Sequence, residues 1–407
     1  MTRLTRFLIL AVGMSALLPT ARAQDILEFP PLTGEYQVGR TAYHLIDHDR
    51  KETFTTRPDD VRELMIIVYY PAAPSADDQS APYLEGLRRE CLSTGNRRIG
   101  PFDWDRIVSH AYTNVPVSDR RKAYPVLLFS PGFTTNPVFY TAMLEEITSH
   151  GYVVVALTHP YSTDAVAFSN GRVINLNASG TRLMTVLSSD PEYGEQIGDH
   201  TLDVWASDAL FALDQLQAMN RDDPLLSGRM DLDHVGMFGH SFGGATSAEA
   251  ASRDDRILAA TNMDGAFFGT VDDTGLDQPF MFMASDHSWP KRDEDRFGMS
   301  EEDWNAMYDG VYTDLEKVCE HASNAYAFTL DGSSHGTYTD LALLATMGVN
   351  SWIFEPMFVG HINAVRAHQV ITTYVVAFFD KHVRGLDVPL LDGPSIDYPE
   401  VTLDIDA

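Results

Sequence analysis

The chain has 407 residues, 44% of them apolar and 21% charged, with 28 Gly and 21 Pro, a composition that excludes a disordered or fibrous protein and fits a globular one. Against 58 Asp and Glu stand 29 Lys and Arg, a formal net charge of −29. A surface this acidic repels a phosphate backbone, so nucleic acid is excluded as a partner class.

At the amino end, Arg3 and Arg6 precede an apolar run from Phe7 to Leu18, and Ala21-Arg22-Ala23 supplies the small-x-small pattern that a signal peptidase reads. The run is too short for a membrane-spanning helix, which needs about 20 apolar residues. The pattern predicts a signal peptide over residues 1–23, a mature chain of residues 24–407 forming one domain, and export to the periplasm or beyond the cell. No later stretch of the sequence reaches transmembrane length. In an oxidising compartment Cys91 and Cys319 have the option of pairing, and two separate thiols are the alternative.

Downstream, runs of β-branched and apolar residues predict strands at Leu64–Tyr70, Val126–Phe129, Tyr152–Leu157, Val235–Phe238, Leu258–Asn262, Pro279–Ala284 and Ala325–Leu330. Several lack the alternation of a half-exposed strand, which is the pattern of strands covered on both faces. Helical patterns fall at Val138–His150, Thr201–Met219, Gly244–Ala251 and Ile362–His382. Strands alternating with helices predict an α/β fold, with a mostly parallel central sheet and helices on both faces. Two polar stretches rich in Asp, Gly and Ser interrupt the alternation, near 161–200 and 287–320. They are expected to be loop or cap insertions over one face of the sheet. The acidic segment 386–407 is expected to lie on the surface, and the apolar cluster Trp352–Phe358 to pack in the core, with an entrance lining or lipid contact as its alternative.

Walker-type loops, GxGxxG turns, HExxH helices and EF-hand loops do not occur in the sequence. No cofactor and no metal is therefore expected, and the chemistry must come from side chains. The informative segment is Val235-Gly-Met-Phe-Gly-His-Ser-Phe-Gly-Gly244, a strand running into a GxSxG turn and then into a helix. This is the setting of a nucleophile elbow: the glycines let strand and helix pass the turn closely, and Ser241 is lifted clear of the sheet. The helix behind it aims N–H groups at charge developing on a reacting carbonyl, so Phe242 N–H is one predicted oxyanion donor.

A serine hydroxyl needs a base to take its proton and an acid to hold the resulting imidazolium. In this strand-turn-helix architecture both follow the serine in the chain, which leaves His287, His321, His335, His361, His368 and His382. His335 is the best placed, in Asp331-Gly-Ser-Ser-His-Gly336 directly after a strand, where a flexible turn can carry an imidazole over the sheet edge. Two carboxylates stand at strand ends facing that same edge, Asp264, 23 residues after the serine, and Asp286, 45 residues after it. The second oxyanion donor is expected in Ser130-Pro131-Gly132-Phe133, because Pro131 has no N–H and Gly132 permits a turn that points Phe133 N–H inward.

With these residues in place, the chain resembles the plasma-type platelet-activating-factor acetylhydrolase family of α/β-hydrolases. The resemblance runs from Leu32-Thr-Gly-Glu-Tyr-Gln-Val-Gly39 through Tyr69-Tyr-Pro71, Ser130-Pro-Gly-Phe133, Gly239-His-Ser-Phe-Gly-Gly244 and Met263-Asp-Gly265 to Gly332-Ser-Ser-His335. It implies an α/β-hydrolase fold and a small-molecule or lipid ester substrate of the short-acyl phospholipid type; peripheral lipid contact is an option that the resemblance does not decide. It implies no oligomeric state. The family's serine, aspartate and histidine fall on Ser241, Asp264 and His335, and its oxyanion donors on Phe133 and Phe242. The oxyanion loop departs from the family, reading Pro131-Gly132-Phe133 in place of a His-Gly-Leu type. Polyester hydrolases and dienelactone hydrolases are similar over parts of the chain, and there the acid corresponds to Asp286. The clustering of Phe133, Phe242, Phe267 and Phe268 around these positions motivates an apolar acyl pocket, although aromatic residues in such places more often pack in the core. A serine peptidase or a non-catalytic lipid-binding protein are the alternatives from other classes.

Overall fold

A computed structural model describes residues 26–85, 104–186, 191–286, 313–349 and 356–403. The expected signal peptide, Cys91, His287, Trp352 and most of the 287–320 stretch lie outside the described residues.

In chain order the strands are β1 (Leu27–Glu28), β2 (Gln37–Lys51), β3 (Val61–Ala72), β4 (Ser80–Pro82), β5 (Ile107–Thr113), β6 (Tyr124–Ser130), β7 (Val153–Leu157), β8 (Val166–Ala167), β9 (Val173–Ile174), β10 (Met230–His240), β11 (Ile257–Met263), β12 (Phe280–Ser285), β13 (Ala325–Leu330) and β14 (Val401–Leu403). Among the described residues, all but the small β8–β9 hairpin join one sheet in the order β1-β5-β2-β3-β7-β6-β10-β11-β12-β13-β14, with β4 against β5. From β7 through β6, β10, β11 and β12 to β13 every pairing is parallel. The rims are antiparallel where β2 meets β3, β3 meets β7 and β14 meets β13. This is the mainly parallel sheet, with antiparallel rims, that the runs of apolar residues predict in outline.

The central strands are apolar on both faces because both are covered. In β6, Leu127 and Phe129 join the core on one side, with helices α1 (Thr141–Ser149) and α4 (Ala364–His382), while Val126 and Leu128 face α2 (Pro191–Asp222) and α3 (Phe242–Arg253) on the other. Side chains alternate between faces as a strand requires, but each face meets a helix, so the alternation carries no polar signal.

Three features differ from the sequence reading. Strand β2 has 15 residues and went unpredicted because its buried positions are interspersed with exposed polar and charged ones such as His48, Asp49 and Lys51. Helix α2 begins well ahead of Thr201 and takes in the end of the 161–200 stretch, whose remainder holds the β8–β9 hairpin and a short helix at Arg182–Val186. The acidic tail is not wholly superficial: Leu391 is buried, β14 pairs with β13, and Asp331 N–H donates to Glu400 O at the base of the loop after β13. No described helix is long and apolar enough to cross a membrane.

Candidate active site

The elbow forms where β10 ends at His240 and α3 begins at Phe242. Ser241 between them adopts φ 57°, ψ −128°, a conformation costing about 1–3 kcal/mol for a non-glycine residue. Its neighbours hold it there: Ser241 N–H donates to Met263 O at 2.8 Å, and Gly244 N–H donates to Ser241 O at 2.8 Å. The flanking glycines are sterically required, since a Cβ on Gly239 would lie 2.0 Å from Gly243 O and one on Gly243 would lie 2.1 Å from Ser130 O.

Parallel pairing brings the ends of β11, β12 and β13 to the same edge. Asp264 follows β11, His335 lies in the turn after β13, and Ser285 ends β12. His335 Nε2 is 2.9 Å from Ser241 Oγ, and its Nδ1 is 2.6 Å from Asp264 Oδ2. Asp264 is buried, and its carboxylate accepts two further bonds, from Ser285 N–H to Oδ1 at 2.7 Å and from Ser285 Oγ to Oδ2 at 2.9 Å. Serine, imidazole and carboxylate thus form one hydrogen-bonded path, with Nδ1–H donating to the acid and Nε2 open to the serine proton. The turn carrying His335 is stiffened by reciprocal bonds between Ser334 and Thr337 and by Thr337 Oγ1 donating to Val359 O at 2.8 Å.

The other sequence candidates sit elsewhere. Asp286 Oδ2 accepts Gly332 N–H at 3.1 Å, so this carboxylate props the loop that carries His335 and makes no hydrogen bond to the imidazole among the described residues. His321 bonds Lys317 O, and His382 bonds the Tyr326 hydroxyl at 3.0 Å. His361 and His368 flank or occupy the start of α4.

The loop after β6 leaves the Phe133 amide without an acceptor among the described residues. Gly132 N–H donates to Tyr140 OH, Thr134 N–H to Ser162 O and Thr135 N–H to Gly132 O, while Phe133 N–H has no protein acceptor among the described residues. Phe242 N–H, at the start of α3, also has none among them. Tyr140 accepts from Gly132, so its single proton goes to His240 Nδ1 at 2.8 Å. Burial, and after it the nearby His335, hold the pKa of His240 well below the usual histidine range, which keeps it a neutral acceptor.

An aromatic wall flanks the serine. Phe133 lies 5.5 Å from Phe242 and 5.9 Å from Trp205, and Phe242 lies 5.0 Å from Trp205 and 5.5 Å from Phe268. Phe267 does not join it, and packs instead against Phe280 and Phe282 in the core. Sequence reading missed Trp205, because nothing local marks which residue of a long polar helix turns toward a loop 72 positions earlier. Ligand atoms of His240, Asp264 and His335 lie within 4.8 Å of one another. The atoms through which His335 and Asp264 meet are engaged in the path from Ser241, so hydrogen bonding accounts for their grouping.

Comparison with known proteins places this chain among esterases. The family described as platelet-activating factor acetylhydrolase, isoform II, matches residues 21–389. A probable 1-alkyl-2-acetylglycerophosphocholine esterase from Arthroderma benhamiae is 29% identical over 91% of this chain and 92% of its own. A platelet-activating factor acetylhydrolase from Canis lupus familiaris is 25% identical over 90% of this chain and 83% of its own. Among solved structures, a ferulic acid esterase from Streptomyces cinnamoneus superposes with a TM-score of 0.73 at 27% identity, covering 92% of this chain and 98% of that one.

Proposed function

This chain belongs to the platelet-activating factor acetylhydrolase isoform II family and is a carboxylic ester hydrolase of the α/β-hydrolase fold, and from that premise we propose that it is an exported, metal-independent serine esterase acting on small-molecule or lipid esters with short acyl chains. Ser241 Oγ attacks the ester carbonyl as His335 Nε2 takes its proton. Asp264 acts through Nδ1, fixing the tautomer and stabilising the imidazolium. The N–H groups of Phe133 and Phe242 receive the negative charge that forms on the carbonyl oxygen. His335 then protonates the departing alkoxide, and in the second half it activates water, which releases the carboxylic acid and restores Ser241.

The observation that carries this reading is the unbroken path from Ser241 Oγ through His335 to Asp264, at 2.9 and 2.6 Å, beside two amides without protein acceptors among the described residues. The preference for short acyl groups is supported by the aromatic wall, whose rigid rings crowd one flank of the serine. Export is supported by the charged and apolar pattern of residues 1–23.

A panel of p-nitrophenyl esters from acetyl to palmitoyl, with methyl ferulate and an sn-2 acetyl phospholipid beside it, tests the substrate reading. The expected kcat/KM is highest from acetyl to butyryl and falls with chain length; a rise toward palmitoyl would overturn the short-acyl proposal. Amide turnover exceeding ester turnover on matched substrates would replace esterase by peptidase.

A further inference from the structure

Behind the active site lies a second serine, histidine and aspartate in the same hydrogen-bonded order. Ser130 Oγ is 3.0 Å from His159 Nε2, and His159 Nδ1 is 2.9 Å from Asp208 Oδ2. Ser130 is the last residue of β6, His159 follows β7, and Asp208 projects from α2; all three are buried. Arg62 binds Asp208 through Nε at 3.0 Å and Nη2 at 2.7 Å, and Arg50 contacts the same carboxylate. Arg62 Nη1 also reaches Glu52 Oε2 at 2.8 Å and Pro160 O at 3.2 Å.

The protonation pattern follows from the partners. Burial opposes ionisation of Asp208, but Arg62, the His159 bond and Arg50 together hold its pKa below the ordinary carboxylate range. Burial lowers the pKa of His159, and the two arginines add to that against the pull of Asp208. A neutral imidazole beside an ionised carboxylate carries its proton on Nδ1, so Nε2 accepts the Ser130 hydroxyl. This is the resting pattern of the active site, built where no substrate can reach.

The arrangement is aimed at the loop that carries Phe133. Ser130 anchors the start of that loop on His159. Thr134, at φ 62°, donates its N–H to Ser162 O at 2.9 Å, and Asn136 Nδ2 donates to Asp164 O at 3.0 Å and Ala165 O at 3.2 Å. The segment after His159 is thus a template for the segment after Ser130, with Phe133 between the anchor points. The Phe133 side chain is held from the same histidine: Trp205 stacks on His159 at 3.8 Å and 10°, and Phe133 stacks on Trp205.

We propose that Ser130, His159 and Asp208 are positioning residues for ester hydrolysis: the chain Arg62–Asp208–His159–Ser130 holds loop 130–136 so that Phe133 N–H meets the oxyanion. The proposal rests on the reading of Phe133 as an oxyanion donor. A displaced donor loses much of its effect, since removing one costs roughly a hundredfold or more and an ångström of misplacement costs on a similar scale.

The test compares p-nitrophenyl acetate with its thiono analogue, whose C=S accepts hydrogen bonds weakly and gains little from an oxyanion hole. Two variants are used: Ser130→Ala, which deletes one hydroxyl, and His159→Phe, which keeps a ring on Trp205 while losing both hydrogen bonds. In each, kcat for the oxygen ester is expected to fall roughly ten- to a hundredfold with KM nearly unchanged. The thionoester is expected to be little affected, so the preference for oxygen collapses by the same factor. Folded Ser130→Ala protein with the parental kcat and the parental oxygen-to-sulfur ratio, whatever its melting temperature, would overturn the proposal. A parent enzyme indifferent to sulfur substitution would overturn the oxyanion assignment and the proposal with it.

Discussion

The proposed catalytic path and the buried one use the same side chains at nearly the same spacing, with serine-to-imidazole distances of 2.9 and 3.0 Å and imidazole-to-carboxylate distances of 2.6 and 2.9 Å. They differ in backbone, solvent and charge. Ser241 sits at positive φ on a turn and is partly exposed, whereas Ser130 ends a strand in extended conformation and is sealed in. The His335 side chain is 35% exposed and that of His159 is 0%. Asp264 meets the neutral donors of Ser285, while Asp208 faces Arg62 and Arg50. A carboxylate already matched by two guanidiniums has little charge left to stabilise an imidazolium, so His159 stays neutral and serves as a strut. Asp264 has no such competitor among the described residues, so in the proposed mechanism its charge is free to stabilise an imidazolium at His335. Three residue types in a row are therefore insufficient for a nucleophile; reach and an unspent negative charge make the difference.

The contrast can be broken most sharply at the serines. Ser241→Ala is expected to lower kcat for p-nitrophenyl acetate by roughly 10⁴-fold or more, far beyond the loss at Ser130. Asp264→Asn should cost on the order of 10⁴ in kcat, and Asp286→Asn less than about tenfold, because its carboxylate supports a loop amide. Equal losses in the two aspartate variants would transfer the acid role to the β12 end. Charge separates the two paths on the stability axis: Asp208→Asn leaves Arg62 and Arg50 short of a buried counter-charge and should cost about 3–5 kcal/mol in urea unfolding.

Smaller effects sharpen the picture. Ser285→Ala removes a hydroxyl from Asp264 and should reduce kcat by about tenfold without unfolding the protein. Lowered folded-state values, for His159 chiefly through burial and for His368 and His382 down to about 4, also chiefly through burial, mean that the unfolded chain binds protons first. Stability is thus full above the unfolded value of about 6.5 and is lost as pH falls toward about 4. The urea midpoint should drop over that interval, and drop less in His368→Leu. A chelator should leave turnover unchanged; a loss of rate in folded protein would contradict the metal-free scheme.

How much of this the sequence made legible follows from distance along the chain. The elbow at Ser241 was readable because it needs only five adjacent residues between a strand and a helix, and the turn of His335 because a Gly/Ser stretch follows an apolar run. The carboxylate that meets this histidine was harder. Asp264 and Asp286 end neighbouring parallel strands at one edge, and residue type cannot say which carboxylate swings to the imidazole; only resemblance to a family separated them. Phe267 and Phe268 could not be told apart in the sequence because they are adjacent and point in different directions, one into the core and one toward the cluster of Phe242 and Trp205. His159 and Asp208 were invisible: they are 49 residues apart, on a loop and a polar helix, and nothing but folding pairs them.

The last described strand carries a practical consequence. Glu400 accepts Asp331 N–H at the root of the His335 loop, forms an ion pair with Arg366 on α4, and β14 caps the open edge beside β13. Proteolytic trimming ahead of Glu400 would spare every proposed site residue yet remove the bond to Asp331 N–H at the root of the loop that carries His335, the proposed general base. Anyone shortening this enzyme for expression or crystal growth should treat those few carboxy-terminal positions as machinery and not as packaging.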